Sequence, residues 1–131
     1  MNDAVSRYIR IRDALAIGNT LDPVDAAFQH AVMVAVAEGR DWREAWGLPL
    51  RYRQHIAAAD AVRALRCLPG GLTEQRRAIA QYEAGEFRSH QRRGVVPPGD
   101  RGICHQFLTA YGSTPSLRSF QRLLKNDTKC R

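Results

Sequence analysis

With 131 residues and a mass of 14.7 kDa, the chain has room for one compact domain, or two very small ones. Such a domain buries roughly two-thirds of its unfolded surface and needs no disulfide or metal to hold it together. Its content of 44% hydrophobic and 25% charged residues excludes wholesale disorder. The longest apolar run, around Ala31 to Ala37, falls far short of the roughly 20 residues of a membrane span, and no signal-peptide pattern opens the chain. A cytoplasmic protein with no membrane partner is expected.

The net charge of +7 is unevenly spread. Residues 1–50 hold five Arg against seven acids, a net of −2, whereas residues 51–131 hold fifteen basic residues against six acids, a net of +9. A basic stretch of this kind implies a polyanion or an acidic protein surface as partner. Only Lys125 and Lys129 are lysines; the other basic residues are Arg, which suits bidentate recognition of phosphate or carboxylate, although an Arg-favouring genome produces the same excess. Cys67, Cys104 and Cys130 form no CxxC pair, so they make neither a disulfide framework nor a zinc signature. Cys67 reads as a small core residue and Cys130 as an exposed one beside the terminus.

Helical signals recur from end to end. Asn2 or Asp3 caps a first helix with Val5, Tyr8, Ile9 and Leu15 near one face, closed by Gly18-Asn19. Asp22 before Pro23, with Asp25 in the first turn, opens a second helix from Val24 to Glu38. That helix is apolar on almost every side and is expected in the middle of a bundle. Asp41 and Glu44 form a capping box for a short helix that stops by Gly47. Pro49 starts the next, running to about Leu68 with Leu50, Ala57, Ala61 and Leu65 on its buried face. After Pro69-Gly70-Gly71, Thr73 caps a helix carrying Ile79, Tyr82 and Phe87, which frays near Gly85 and ends at Arg93-Gly94. Val95 to Gly99 is an extended Pro-Pro loop. Asp100 opens a helix with Ile103 and Phe107 inward, ending at Gly112. Thr114 caps the last, with Pro115 as its first residue, Leu117, Phe120 and Leu124 as its buried stripe, and a loose tail from Asn126 to Arg131.

The expected architecture is therefore all-α: a compact bundle of about six helices plus one short helix, with the Pro-Pro loop before the last two. It reads as a single domain, residues 1–131. The one subdivision the sequence offers is at 94–99, between a helical core (1–93) and a C-terminal hairpin (100–126).

Three constellations bear on binding. Between Cys104 and Asn126, two helices flank the turn Gly112-Ser113-Thr114-Pro115. On the second, Arg118, Arg122 and Lys125 recur at spacings of four and three, which puts them on one stripe. This stretch resembles helix-turn-helix DNA-binding segments in general, without pointing to a particular family. The resemblance implies that Ser116, Arg118 and Ser119 approach bases or phosphates and that Arg122 and Lys125 track the backbone. A packed hairpin with a solvated basic face has the same sequence pattern. Ala26 to Ala59 also resembles a trihelical helix-turn-helix, with Arg51, Arg53, Gln54 and His55 opening the recognition helix, but its turn is abbreviated. In that stretch Trp42, Trp46 and Tyr52 are core anchors or a partner-binding patch beside Arg51 and Arg53. The third constellation is Arg88, Arg92 and Arg93 around His90, with Arg76 and Arg77 on the same helix: a phosphate-binding cluster, or a helix end whose cations complement the dipole.

Catalysis has little support. Cys104 and His105 are adjacent on a helix and point about 100° apart. The histidines are scattered, Glu83 and Glu86 read as solvated surface, and no nucleotide-binding, zincin or nucleophile-elbow motif occurs. The expectation is a non-enzymatic protein without metal or cofactor. Its leading function is DNA binding as a transcriptional regulator. The alternative is an adaptor or inhibitor docking on an acidic protein surface, with RNA binding third. A homodimer sharing the Val24–Glu38 helix is a further expectation.

Overall fold

The computed structural model describes residues 3–129, with side chains through residue 125. The helices are α1 (Asp3–Ala16), α2 (Pro23–Ala37), α3 (Trp42–Trp46), α4 (Tyr52–Ala64), α5 (Leu72–Tyr82), α6 (Arg88–Arg93), α7 (Asp100–Tyr111) and α8 (Leu117–Lys129). A 3-10 turn, Leu65–Cys67, extends α4, and a π-helical segment, Glu83–Phe87, joins α5 to α6 without a break. No strand occurs among the described residues, and the all-helical expectation of six longer helices plus one short one holds. The chain divides into two compact units, Met1–Ile56 and Ala57–Arg131. The division falls within α4, and the Pro97-Pro98 loop lies inside the second unit.

In the first unit, local chemistry sets the helix ends. The Asp22 carboxylate accepts from the Val24 N–H at 2.8 Å with Pro23 at the first helical position, and Asp41 accepts from the Glu44 N–H at 3.3 Å. Gly47, at φ 71°, ends α3 in the left-handed conformation, and the Leu48 N–H reaches back to the Arg43 carbonyl at 3.0 Å. An aromatic cluster ties the three helices together. Tyr8 of α1 meets Trp42 and Trp46 of α3 edge-on at centroid distances of 5.5 and 5.1 Å, and Phe28 of α2 meets Trp46 at 5.6 Å. Arg7 caps the cluster, 4.2 Å above the Phe28 ring. Beside it, Arg10 clamps Asp25 with two bonds of 2.7 Å from Nε and Nη2, joining α1 to α2.

The second unit has its own core. Ala61, Leu65, Ile79, Tyr82, Phe87, Phe107, Leu108 and Phe120 are buried in one cluster. Both α7 and α8 pack against α5, and Phe107 and Phe120 meet edge-on at 6.0 Å. The Gln75 amide donates to the Leu65 and Leu68 carbonyls, both at 3.1 Å, satisfying the end of the 3-10 turn. Gly102 is required by a close approach: a Cβ there would lie 2.4 Å from the Pro97 carbonyl oxygen.

Several sequence expectations are corrected. The α2 helix is not central: Asp25 and Val32 are its buried residues, while Val24, Met33, Val34 and Val36 are exposed. A helix apolar all round does not reveal which side its neighbours take, and here α1 and α3 take one side. Cys67 is exposed, since the buried face formed by Ala61, Leu65 and Leu68 points away from it. Leu50 is 83% exposed, since the backbone from Pro49 to Arg51 is still a turn and α4 begins at Tyr52. Trp46 is buried and therefore a core anchor. Thr73 is a helical residue rather than a cap; Gly71 occupies the cap position. The cap of α8 is Ser116, whose Oγ accepts from the Ser119 N–H at 3.2 Å, so Thr114 and Pro115 precede the helix and Leu117 is exposed. With no Gly or Pro to interrupt it, the α8 backbone runs on to Lys129, through most of the stretch expected to be loose. The expected cap Asn2 and the residue Cys130 lie outside the described residues.

Candidate nucleic-acid interface

The region of interest is built on α5, the π segment and α6. An α-helix that buries Ile79 and Tyr82 would next turn residue 86 inward; the π segment adds one residue to that turn and buries Phe87 instead. Glu86 is thereby left outside; Arg88 and Arg92, four apart on α6, share one face. The apolar spacing Ile79, Tyr82, Phe87, one residue too long for a regular helix, was the available sequence signal. Helix α5 did not fray at Gly85; it widened.

Arg88 and Arg92 are exposed and line two cavities. One, of about 520 Å³, is completed by Glu83, Phe87, Gln91, Leu108 and Thr109. The other, of about 460 Å³, includes Ala84, Gly85 and Ser89. Arg93, also exposed, lines neither cavity and ends α6 before Gly94. On α8, Arg118, Arg122 and Lys125 are exposed, while Phe120 is buried and Leu123 and Leu124 are half-buried on the opposite side. Ser116 and Ser119 sit at the exposed start of that helix with their hydroxyls 3.1 Å apart, so both already serve the cap. Among the described residues, no ion pair neutralises Arg88, Arg92, Arg93, Arg118, Arg122 or Lys125.

Other charges are committed. Arg76 Nε donates to the Pro115 carbonyl at 2.7 Å, holding the entry to α8 against α5. Glu83 Oε1 accepts from both the Thr114 N–H (3.1 Å) and hydroxyl (2.7 Å), which fixes the turn between α7 and α8. Arg101 Nη1 bonds Glu86 Oε2 at 2.8 Å. Glu86 is solvated surface, as the sequence suggests, paired with the exposed Arg101, whereas Glu83 is half-buried and a structural tie. Nothing in local spacing betrays partners 31 and 15 residues away.

Behind this surface lies a polar relay. The Tyr82 hydroxyl is 2.8 Å from His90 Nδ1 and 2.9 Å from His105 Nδ1, and His90 Nε2 faces Glu86 Oε2 at 3.6 Å. Burial, reinforced by His90, holds His105 below its ordinary value of 6.5, so this imidazole is kept neutral. Burial likewise pushes the Tyr82 phenol up, and with it the Cys104 thiol. Tyr82 has one hydrogen to give. It can therefore donate to the Nδ1 of one imidazole while accepting from an Nδ1–H of the other, so the two rings take opposite roles toward it.

The remaining candidates belong to the first unit. Arg51 and Arg53 are exposed around the start of α4, and Arg53 Nε donates to the Tyr52 hydroxyl at 3.3 Å. Trp42 is 38% exposed and lies 5.6 Å from the half-buried Tyr52 ring, with Leu50 in the adjoining turn. Sequence reasoning included Trp42 and Tyr52 but not Leu50. Among the described residues, no group of three or more His, Cys, Asp or Glu side chains converges to hold a metal ion, and no helix is long and apolar enough to cross a membrane. No protein-family model matches the chain, and neither a curated protein nor a solved structure is significantly similar to it.

Proposed function

We propose that the protein binds nucleic acid, duplex DNA foremost, as a non-enzymatic regulator of transcription in the cytoplasm. The observation that carries this reading is the exposed, unneutralised stripe of Arg118, Arg122 and Lys125 on a helix whose other face is buried against α5. The helices α7 and α8 follow one another in the chain, and α5, which precedes them by the π segment and α6, supports both, as the first helix of a trihelical helix-turn-helix does. In this reading α8 enters the major groove from its Ser116 end, Arg122 and Lys125 follow the phosphates, and Arg88, Arg92 and Arg93 add contacts that do not depend on sequence. The free thiols of Cys67 and Cys104 suit a reducing compartment.

Fluorescence anisotropy with a labelled duplex across a salt series is the test. The logarithm of the association constant falls with log[salt] by about 0.9 per phosphate neutralised. Replacing Arg118, Arg122 and Lys125 by Ala flattens that slope by about three units. No binding of duplex at low salt, or an unchanged slope in the triple variant, overturns the proposal. A second reading rests on Leu50, 83% exposed beside Trp42, Arg51 and Arg53: an apolar anchor with flanking cations fits docking on an acidic protein surface. Tryptophan quenching by acidic peptides, abolished by Leu50→Glu, distinguishes it.

A further inference from the structure

The α2 helix is apolar on two sides, and among the described residues of the first unit only one of them is packed. Its inner side turns Asp25, Phe28 and Val32 toward α1 and α3. Its outer side carries Pro23, Ala27, His30, Val34 and Ala37, spaced alternately four and three residues apart and all exposed. That alternation is the seam spacing of paired helices. Val24 (74% exposed) and Met33 (63%) flank it, and Ile17, at 72%, leaves the preceding helix in the same condition. His30 is the one polar side chain in the seam.

We propose that two copies of the chain pair through this face, their α2 helices antiparallel about a two-fold axis passing near His30. Area and shape both favour a second copy as the occupant. From their fractional exposures the seam and its flanks present on the order of 600 Å² of apolar surface, the upper end of what monomers carry and about three-quarters of the ~800 Å² per partner of a stable interface. Antiparallel pairing centred on His30 sets Ala27 beside the partner's Val34 and Pro23 beside the partner's Ala37, so each small residue meets a larger one. Parallel pairing would stack alanine on alanine and leave gaps. It would also align the two helix dipoles and bring Asp22 to the partner's Asp22, whereas the antiparallel pair opposes the dipoles.

Sedimentation velocity on the full chain at micromolar concentration tests the pairing. The expected mass is twice 14.7 kDa. Val34→Glu, at a position the monomer fold leaves exposed, should give a monomer with unchanged helical circular dichroism, and Leu50→Glu, at an apolar site elsewhere, should leave the dimer intact. In a background with Cys67 and Cys130 changed to Ser, His30→Cys should cross-link to itself on oxidation and Ala37→Cys should not. A wild-type monomer would assign this face to some other partner and refute the proposal. So would a Val34→Glu variant that remains dimeric, and cross-linking through Ala37→Cys alone would overturn the antiparallel arrangement.

Discussion

Replacing Tyr82 by Phe removes a single oxygen from the second unit and strands two imidazoles while leaving the apolar packing of the ring in place. The hydroxyl serves His90 at 2.8 Å and His105 at 2.9 Å. Each lost bond costs about 1 kcal/mol, and a buried group left without a partner costs about 1–3 kcal/mol. His105 is buried, whereas His90 keeps Glu86 and is only half-buried, so the larger penalty falls on His105. The expected destabilisation is about 2–4 kcal/mol, read as a lower urea midpoint with an unchanged slope. The pairwise part is isolated by a double-mutant cycle: Tyr82→Phe costs markedly less in a His105→Phe background, where only the half-buried His90 remains to strand. A loss below about 0.5 kcal/mol, typical of unremarkable surface changes, or strict additivity in the cycle, would mean that the relay is geometric coincidence.

Three further outcomes are expected. Because His105 is held below its ordinary value of 6.5, the unfolded chain binds its proton first. Its contribution to stability is complete above that value, declines as pH falls toward the folded-state value, and is constant below it; urea titrations from pH 5 to 8 show this, and the dependence shrinks in His105→Phe. Asp25→Asn breaks the clamp from Arg10 and lowers stability by about 1–2 kcal/mol at neutral pH. The Arg10 guanidinium holds the Asp25 carboxyl below its ordinary 3.8, so in acid titration the difference between the two proteins disappears only as pH falls through that depressed value. Two glycine substitutions move in opposite directions in thermal melts. Gly102→Ala drives a Cβ against the Pro97 carbonyl and lowers the midpoint, whereas Gly85→Ala meets nothing within 4 Å and raises stability by about 0.5–1 kcal/mol through backbone entropy.

The first unit contains both the clearest sequence signals and the largest correction. Asp22-Pro23 and Asp41 announce α2 and α3, because a cap is a contract between residues two or three apart. Yet the composition of α2, which shows no polar side, points to the middle of a bundle. In the second unit, the stripe of Arg118, Arg122 and Lys125 was legible from periodicity alone. Which cations stay uncommitted was not, because Arg76 and Arg101 are taken up by Pro115 and Glu86, distant in the chain.

Helix number, most helix boundaries and the basic face of α8 were therefore determined by the sequence itself, through capping, turn and periodicity rules that act within one or two helical turns. Tertiary structure decided the outward face of α2, the π segment that buries Phe87, and the joining of Tyr82 to His90 and His105. The physical reason is range. Hydrogen bonds and ring contacts between residues 15 to 39 positions apart depend on how helices pack, and helical periodicity carries no record of that.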